Sequence, residues 1–271
     1  MVVAPILVWI GLAGAVAPVD DVVGLPLTGE AAVKFLSTAE IKGKPREFDS
    51  LAITDPVRVT LTDGSQTLRA IFKDEDTYHM KVHYGDGRTL TRVKDSYKSE
   101  IAAYELAVML GMDMVPPCVE RTVRSHRGSL CMWVEEAMTE SDRIKNKIQP
   151  PNAVKWNNQM FTIRLFVQLI WDPDYNNVRN MLVDANFKIY KVDSSMAFRT
   201  DPDLRKEKSL TRFSRKVLAG LEALEQREVE ARLGPWLDKK QLNALWARRN
   251  RLLALARERI DAFGEDAVLY D

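Results

Sequence analysis

The apolar periodicity of this chain changes character once, and that change constrains the fold more than any other feature. From about Val57 to about residue 137, apolar residues alternate or fall in short runs between turn residues, which is strand spacing. From about residue 138 onward they recur at helical spacing. The reading is α+β: a small β-rich lobe carrying one helix, then a larger helical lobe with one inserted hairpin. Clefts between two such lobes are common ligand sites.

In detail, LTGEAAVKFLSTAEI (27 to 41) reads as a short amphipathic helix and KGKPREFDS as a loop. VRVTL and QTLRAIFK are strands joined by the turn TDGS. TYHMKVHY and RTLTRV form a second hairpin around Gly85, Asp86 and Gly87. SYKSEIAAYELAVML is a helix, with Ser96 capping its start and Gly111 its end. After Pro116 and Pro117 come the strands CVERTVR and SLCMWVEEA. WNNQMFTIRLFVQLIW (156 to 171) is a strongly apolar helix, and three more helices are expected over 209 to 224, 225 to 233 and 238 to 263. The expected organisation is a signal-like or anchor segment over 1–20, an N-terminal helix and linker over 21–56, a β-rich lobe over 57–137 and a helical lobe over 138–271.

Composition narrows the function. The net charge is +1, and no segment interleaves basic clusters with aromatics, so nucleic acid is not an expected partner. Two cysteines without a C-x-x-C, and three histidines, do not make a structural zinc site. Cys118 and Cys131 flank VERTVRSHRGSL; they either pair across a hairpin in an oxidising compartment or remain two buried thiols. The first residues are uncharged as far as Asp20, which fits the apolar region of a secretory signal, with a membrane anchor or a non-exported terminus as alternatives. Export to the periplasm or exterior is the favoured expectation. His79 and His83 read as surface residues, and the tryptophans at 133, 156, 171, 236 and 246 as core.

The stretch WDPDYNNVRNMLVDANFKIYKVDSSMAF (171 to 198) carries the functional reading. With MLV and FKIYKV as antiparallel strands, Asn180 just before the first and Asp193 just after the second fall at one open end. Their oxygens suit Mg2+ when phosphates complete its shell. Asp174, six residues before Asn180, reaches the same region as a base that orients a hydroxyl. Phosphoryl transfer from a nucleotide needs this set, plus a cation for the phosphates. Lys73, ending the strand LRAIFK, is the candidate cation. Glu100, early in the following helix, is its expected partner, in preference to Glu105. Asn and Asp are also ordinary turn residues, so the signal lies in the order of the five.

At these residues the chain resembles the atypical kinase-like proteins that share the protein-kinase-like fold with HipA, the phosphatidylinositol kinases and the secreted Golgi-type kinases. More closely it is similar to a group of often exported bacterial proteins. The segments SYKSEIAAYELAVMLGMDMVPPCVERTV, QPPNAVKWNNQMFTIRLFVQLIWDPDYNN and NMLVDANFKIYKVDSSMAFR carry the likeness. It implies a two-lobed kinase-like fold, ATP and Mg2+ as cofactors, Asp174 as the catalytic aspartate, and Asn180 and Asp193 as metal ligands. Lys73 and Glu100 then form the nucleotide-side pair, Trp133 and Val134 lie at the hinge that meets adenine, and Gly64 in TDGS faces the phosphates. The group's motif, D-R-N-x-x-N, is matched with departures: Tyr175 follows Asp174, and the spacing to Asn180 is one residue longer. Another register pairs Asp172 with Asn177. DSS stands where ordinary kinases have D-F-G, and no G-x-G-x-x-G occurs. The expected function is an ATP- and Mg2+-dependent phosphotransferase acting on a protein, lipid, sugar or small-molecule hydroxyl. The alternatives are a degenerate kinase that serves as a nucleotide-binding or interaction module, and a non-enzymatic exported protein whose helices support a partner.

Overall fold

The structure is a computed structural model that describes residues 22–47, 56–83, 87 and 89–271. The expected signal or anchor segment, and Gly85 and Asp86 of the second hairpin turn, lie outside the described residues.

Among the described residues the first helix is α1 (Gly29–Thr38), followed by the short β1 (Glu40–Ile41) and β2 (Arg46–Glu47). β3 (Val57–Thr62) and β4 (Thr67–Lys73) form the TDGS hairpin. β5 (Asp76–His83) and β6 (Thr89–Ser96) form a separate two-stranded ribbon. α2 (Tyr97–Met109) follows, capped by the Ser96 hydroxyl, which accepts from the Lys98 N–H. β7 (Cys118–Val123) and β8 (His126–Met132) complete a six-stranded sheet in the order β1-β3-β4-β8-β7, with β2 also pairing with β3. α1 lays Ala32, Phe35 and Leu36 on this sheet against Val59, Leu61, Ala70, Phe72 and Leu130. The alternating burial along β4 gives the sheet its one apolar face.

The remainder is mainly helical. β9 (Ala137–Thr139) leads into α3 (Glu140–Lys145) and then α4 (Ala153–Leu169). β10 (Met181–Asp184) and β11 (Ile189–Lys191) make the inserted hairpin, which β9 extends to three strands. β12 (Phe213–Ser214), α5 (Arg215–Ala223), α6 (Gln226–Leu233), α7 (Lys239–Phe263), α8 (Glu265–Val268) and β13 (Leu269–Tyr270) close the chain. α4 buries Leu165, Phe166 and Leu169 in a core shared with α2, α5, α6 and α7. An Asp238–Gln241 capping box starts α7, satisfying two otherwise orphaned N–H groups. Fully buried Arg248 of α7 donates to the carbonyls of Leu169, Arg199 and Asp201, tying the end of α4 to the segment beyond β11. No helix among the described residues is long and apolar enough to cross a membrane.

Several elements differ from the sequence reading: β1 and β2 fall where a helix end and a loop are expected, and the helix expected from 209 begins at Arg215, after β12. The strand expected through SLCMWVEEA stops at Met132, because the chain turns there into the connection between lobes. α4 starts earlier, at Ala153, where the Asn152 side chain caps it by accepting from the Lys155 N–H. α3 has no signature in the sequence, because six residues are too short to show a helical period.

Cys118 and Cys131 are register partners across β7 and β8 and form a disulfide. At a sequence separation of 13, the cross-link is worth about 3 kcal/mol through restriction of the unfolded chain. Changing both cysteines to alanine should therefore lower denaturant stability by about that amount, with a somewhat larger slope because the released unfolded chain exposes more surface. An unchanged midpoint would show that the bond does not stabilise the fold.

An N-terminal strap bridges the two parts of the structure. Gly24 and Glu135 exchange backbone hydrogen bonds of 2.9 and 2.8 Å. A Cβ on Gly24 would lie 2.6 Å from Tyr190 Oη and 2.7 Å from Asp184 Oδ2, and its φ is +80°. Leu25 and Leu27 pack on the core beneath α1. Only glycine fits this crossing.

Candidate functional site

A cleft of about 570 Å³ lies between the sheet and the helical part. Its wall contains Lys73 and Glu100 from one side and Asp174, Asn180 and Asp193 from the other. The structure thus brings to one cavity the five polar residues singled out in the sequence, together with Trp133 and Val134.

Lys73, at the end of β4, bridges the two sides. Its ammonium lies 2.8 Å from Glu100 Oε1 and 2.7 Å from Asp193 Oδ1. Burial works against the charge on Lys73, but Asp193 and Glu100 outweigh it and raise its pKa above the ordinary lysine value. Burial likewise pushes the Asp193 carboxyl up, and the Lys73 ammonium outweighs this and holds it below the ordinary carboxylate value. The Asp193 side chain still reaches solvent, at 43 % exposure, so one face remains open to a ligand. Glu100 uses its second oxygen to accept from the Ser194 N–H at 3.0 Å, which locks α2 to the turn after β11. Glu105, the less favoured partner in the sequence reading, pairs instead with Arg232.

Asp174 sits on the loop leaving α4. Its carboxyl is pushed up, first by burial and then by the neighbouring Asp172 carboxylate, while Asn177 hydrogen-bonds to it and opposes the shift. Asn180 immediately precedes β10 and is buried. Asn177 Nδ2 donates to Asn180 Oδ1 at 3.2 Å, so both asparagines of the two possible registers lie together in the cleft wall. Asp172 is not free to serve as the base: its Oδ2 is 2.8 Å from the Lys191 ammonium, and its Oδ1 accepts from the Asp174 N–H at 2.8 Å.

The expectation for Gly64 is corrected. Gly64 is not in the cleft wall, because its turn joins β3 to β4 at the Thr67 end while Lys73 is at the other. Six strand steps separate the ends by roughly 20 Å. The turn has also consumed its own donors: Asp63 Oδ1 accepts from the N–H groups of Ser65 and Gln66, and Thr62 Oγ1 from that of Gly64. At the Lys73 end the connection from β2 to β3 reaches the cleft through Pro56. Residues 48–55 of that connection lie outside the described residues.

Trp133 and Val134 follow β8 at the passage between the two parts. The Trp133 N–H donates to the Arg69 carbonyl at 3.1 Å, and Glu135 bonds the strap on the far side. Val134 lies between them, and among the described residues neither its N–H nor its C=O has a backbone partner. That leaves one donor and one acceptor at the cleft wall for the edge of a planar heterocycle. Arg58 and Arg69 lie over the Trp133 ring at 5.9 and 5.5 Å, fixing that side chain. Trp156 and Trp171 are core residues, as expected. His79 and His83 are on the exposed ribbon, each beside a threonine.

Sequence reasoning passes over Lys191 and Asp95 as parts of the site, and offers Asp172 and Asn177 only as the alternative register. Lys191 alternates in a strand, where a lysine ordinarily faces water, but here it is buried with Asp172. Asp95, fully buried at the end of β6, also lines the cleft, and burial pushes its carboxyl up. The one available signal is the unusual density of carboxylates in WDPD.

Among the described residues no group of three or more His, Cys, Asp or Glu is arranged to hold a metal ion alone. Asp193 and Asn180 are instead two hard oxygen donors facing an open cleft beside a lysine. That donor set fits Mg2+, which takes one or two protein ligands and completes its shell with phosphate and water.

No protein-family model matches the chain, and no curated protein matches it in sequence. Among solved structures, the chain is similar to that of hydra Fam20 with sugar, at 15 % identity and a TM-score of 0.61, over 88 % of this chain and 90 % of that one. It is also similar to the structure of the Golgi casein kinase, at 12 % identity and a TM-score of 0.62, over 90 % of this chain and 78 % of that one. The fold is a kinase-like one, with a curled β-sheet lobe and a helical lobe.

Proposed function

We propose that this chain is a phosphotransferase that moves the terminal phosphoryl group of Mg2+-ATP to an acceptor hydroxyl. The observation that carries the reading is the Lys73 ammonium held between Glu100 and Asp193, at 2.8 and 2.7 Å, in the cleft that also contains Asp174. A lysine paired with a helix glutamate, facing one aspartate for metal and with a second aspartate for the acceptor, is the set that phosphoryl transfer uses.

Each residue then has a role. Val134 offers its backbone edge, and Trp133 its side chain, to the base. Lys73 turns to the phosphate oxygens, oriented by Glu100. Asp193 and Asn180 hold Mg2+, which when bound neutralises charge on the phosphates. Asp174 accepts the hydrogen bond of the acceptor hydroxyl and aims its oxygen at the γ-phosphorus. The new O–P bond forms as the bond to the β-phosphate oxygen breaks; ADP leaves and Asp174 takes the hydroxyl proton.

Titrating the purified full-length protein with ATP, with and without Mg2+, tests this directly. Metal-dependent binding is the expected result; no binding at millimolar ATP would overturn it. Asp174 must be ionised to accept the proton, and burial raises its pKa. The rate should therefore rise with pH along an acid limb lying above the ordinary carboxylate range, and Asp174→Asn should remove that limb. A limb unchanged in Asp174→Asn would assign the base elsewhere.

Two observations favour a second reading, a nucleotide-binding module without transfer. Asn177 hydrogen-bonds the Asn180 oxygen that would hold the metal, and the loop from Asp174 is one residue longer than in the kinase pattern. Mg2+-ATP binding without release of ADP in the presence of candidate acceptors or water would select it. Export, through the apolar N-terminus, belongs to the same proposal and is tested by locating the full-length chain and its N-terminal residue after expression.

A further inference from the structure

Lys191 and Asp172 have no part in the roles above, yet they are among the most buried charges of the molecule, at 3 and 2 % exposure. Both side chains reach the cleft wall. The Lys191 ammonium lies 2.8 Å from Asp172 Oδ2 and donates to the carbonyls of Val192 at 2.6 Å and Asp193 at 2.9 Å. Its three hydrogen bonds go to these two carbonyls and, at 3.5 Å, to Ser194 Oγ, with the Asp172 carboxylate beside it as an ion pair, so Lys191 has no hydrogen left for a phosphate. It acts through what it holds. One side is the turn that carries Asp193, whose φ of +57° is a left-handed conformation that a non-glycine residue keeps only when its surroundings enforce it. The other side is Asp172, whose Oδ1 takes the N–H of Asp174.

We propose that Lys191 is a positioning residue for phosphoryl transfer, and that with Asp172 it clamps the turn bearing the metal ligand Asp193 to the loop bearing the base Asp174. The proposal rests on the phosphotransferase reading. One continuous chain of contacts then runs from Glu100 through Lys73, Asp193, Lys191 and Asp172 to Asp174, each link between 2.7 and 2.9 Å. The clamp spans the two elements that must keep register when Mg2+-ATP enters. A buried ion pair is a poor device for stability, since an apolar pair of similar volume is often as good. It is a good device for fixing the directions of two carbonyls and one amide at once.

The test is a double-mutant cycle with Lys191→Met and Asp172→Asn, the latter keeping the oxygen that faces the Asp174 N–H. ATP affinity is measured by calorimetry with and without Mg2+, and folding by thermal unfolding. The expected result is that the Mg2+-dependent gain falls about 10- to 100-fold in each folded variant while metal-free affinity holds, as when the partners that orient a metal ligand are removed. The double variant should lose no more than either single, because the two residues act as one clamp. Each single strands a buried charge and so risks unfolding; the double removes both charges and decides the matter alone. A folded double variant with the parental Mg2+ gain would overturn the clamp and leave a purely structural pair. A parent protein with no Mg2+ gain would instead overturn the phosphotransferase reading, and the clamp with it.

Discussion

Asp193→Ala should abolish the Mg2+-dependent part of ATP affinity and lower phosphoryl transfer by about 10²- to 10³-fold, the usual cost of removing one charge-stabilising group from such a site. Two effects combine. The substitution removes the carboxylate whose open face meets the cleft, and it removes one of the two carboxylates gripping Lys73. The second effect has the opposite sign for bare nucleotide: Lys73, left with Glu100 alone, is freer to meet phosphates. Metal-free ATP should therefore bind the variant at least as well as the parent. The crossed result, with metal dependence lost and metal-free affinity kept or improved, is the signature to look for in paired titrations. Equal Mg2+ dependence in variant and parent would remove Asp193 from the metal site. A fall in both affinities with a fall in melting temperature would point to a structural role.

The largest effect on stability is expected at Arg248. Its guanidinium is 0 % exposed, and burial works against its charge. What compensates is the nearby Asp201 carboxylate and three carbonyls, those of Leu169, Arg199 and Asp201. Arg248→Ala leaves all three without this donor and opens a cavity at the centre of α7. Unpaired buried acceptors cost about 1–3 kcal/mol each, so a loss of about 4 kcal/mol is expected, or a melting temperature lower by roughly 10 °C. Arg248→Met should recover part of the packing and none of the hydrogen bonds, and so separate the two terms. Chemical denaturation of the two variants beside the parent measures this. A loss under about 1 kcal/mol in Arg248→Ala would mean that water reaches the three carbonyls, as it does at surface positions. The segment beyond Asp193 hangs on these bonds, so nucleotide affinity should weaken in the same variants.

Much of the arrangement is legible in the sequence, because order along the chain carries it. Lys73 ends a strand of strict alternation, Glu100 lies in the first turn of the helix that follows, and Asn180 and Asp193 bracket a hairpin whose register puts Met181 opposite Lys191. Each of these is a local fact plus one pairing rule. The readings that fall short need long-range geometry or side-chain competition. Gly64 looks like a phosphate contact because a glycine turn is visible in the sequence; that Asp63 takes the turn's N–H groups, and that the turn lies at the wrong end of β4, is not. Lys191 looks like a solvated strand lysine, since nothing local says that Asp172 waits beneath it. Whether Cys118 and Cys131 pair is open in the sequence, because a shift of one residue in the β7–β8 register would put them on opposite faces.

The strap at Gly24 bears on how this molecule can move. Two bodies joined at one point can tilt in any direction, and bodies joined at two points turn only about the line between them. The chain passage through Val134 and Glu135 is one joint. The crossing of Gly24 over Glu135, Tyr190 and Asp184, continued by Leu25 and Leu27 into the core beneath α1, is a second. With α2 packed in the helical core and Glu100 bonded to the turn after β11 as further attachments, tilting of the sheet against the helical part is restrained at several places, and Lys73 is held facing Asp193.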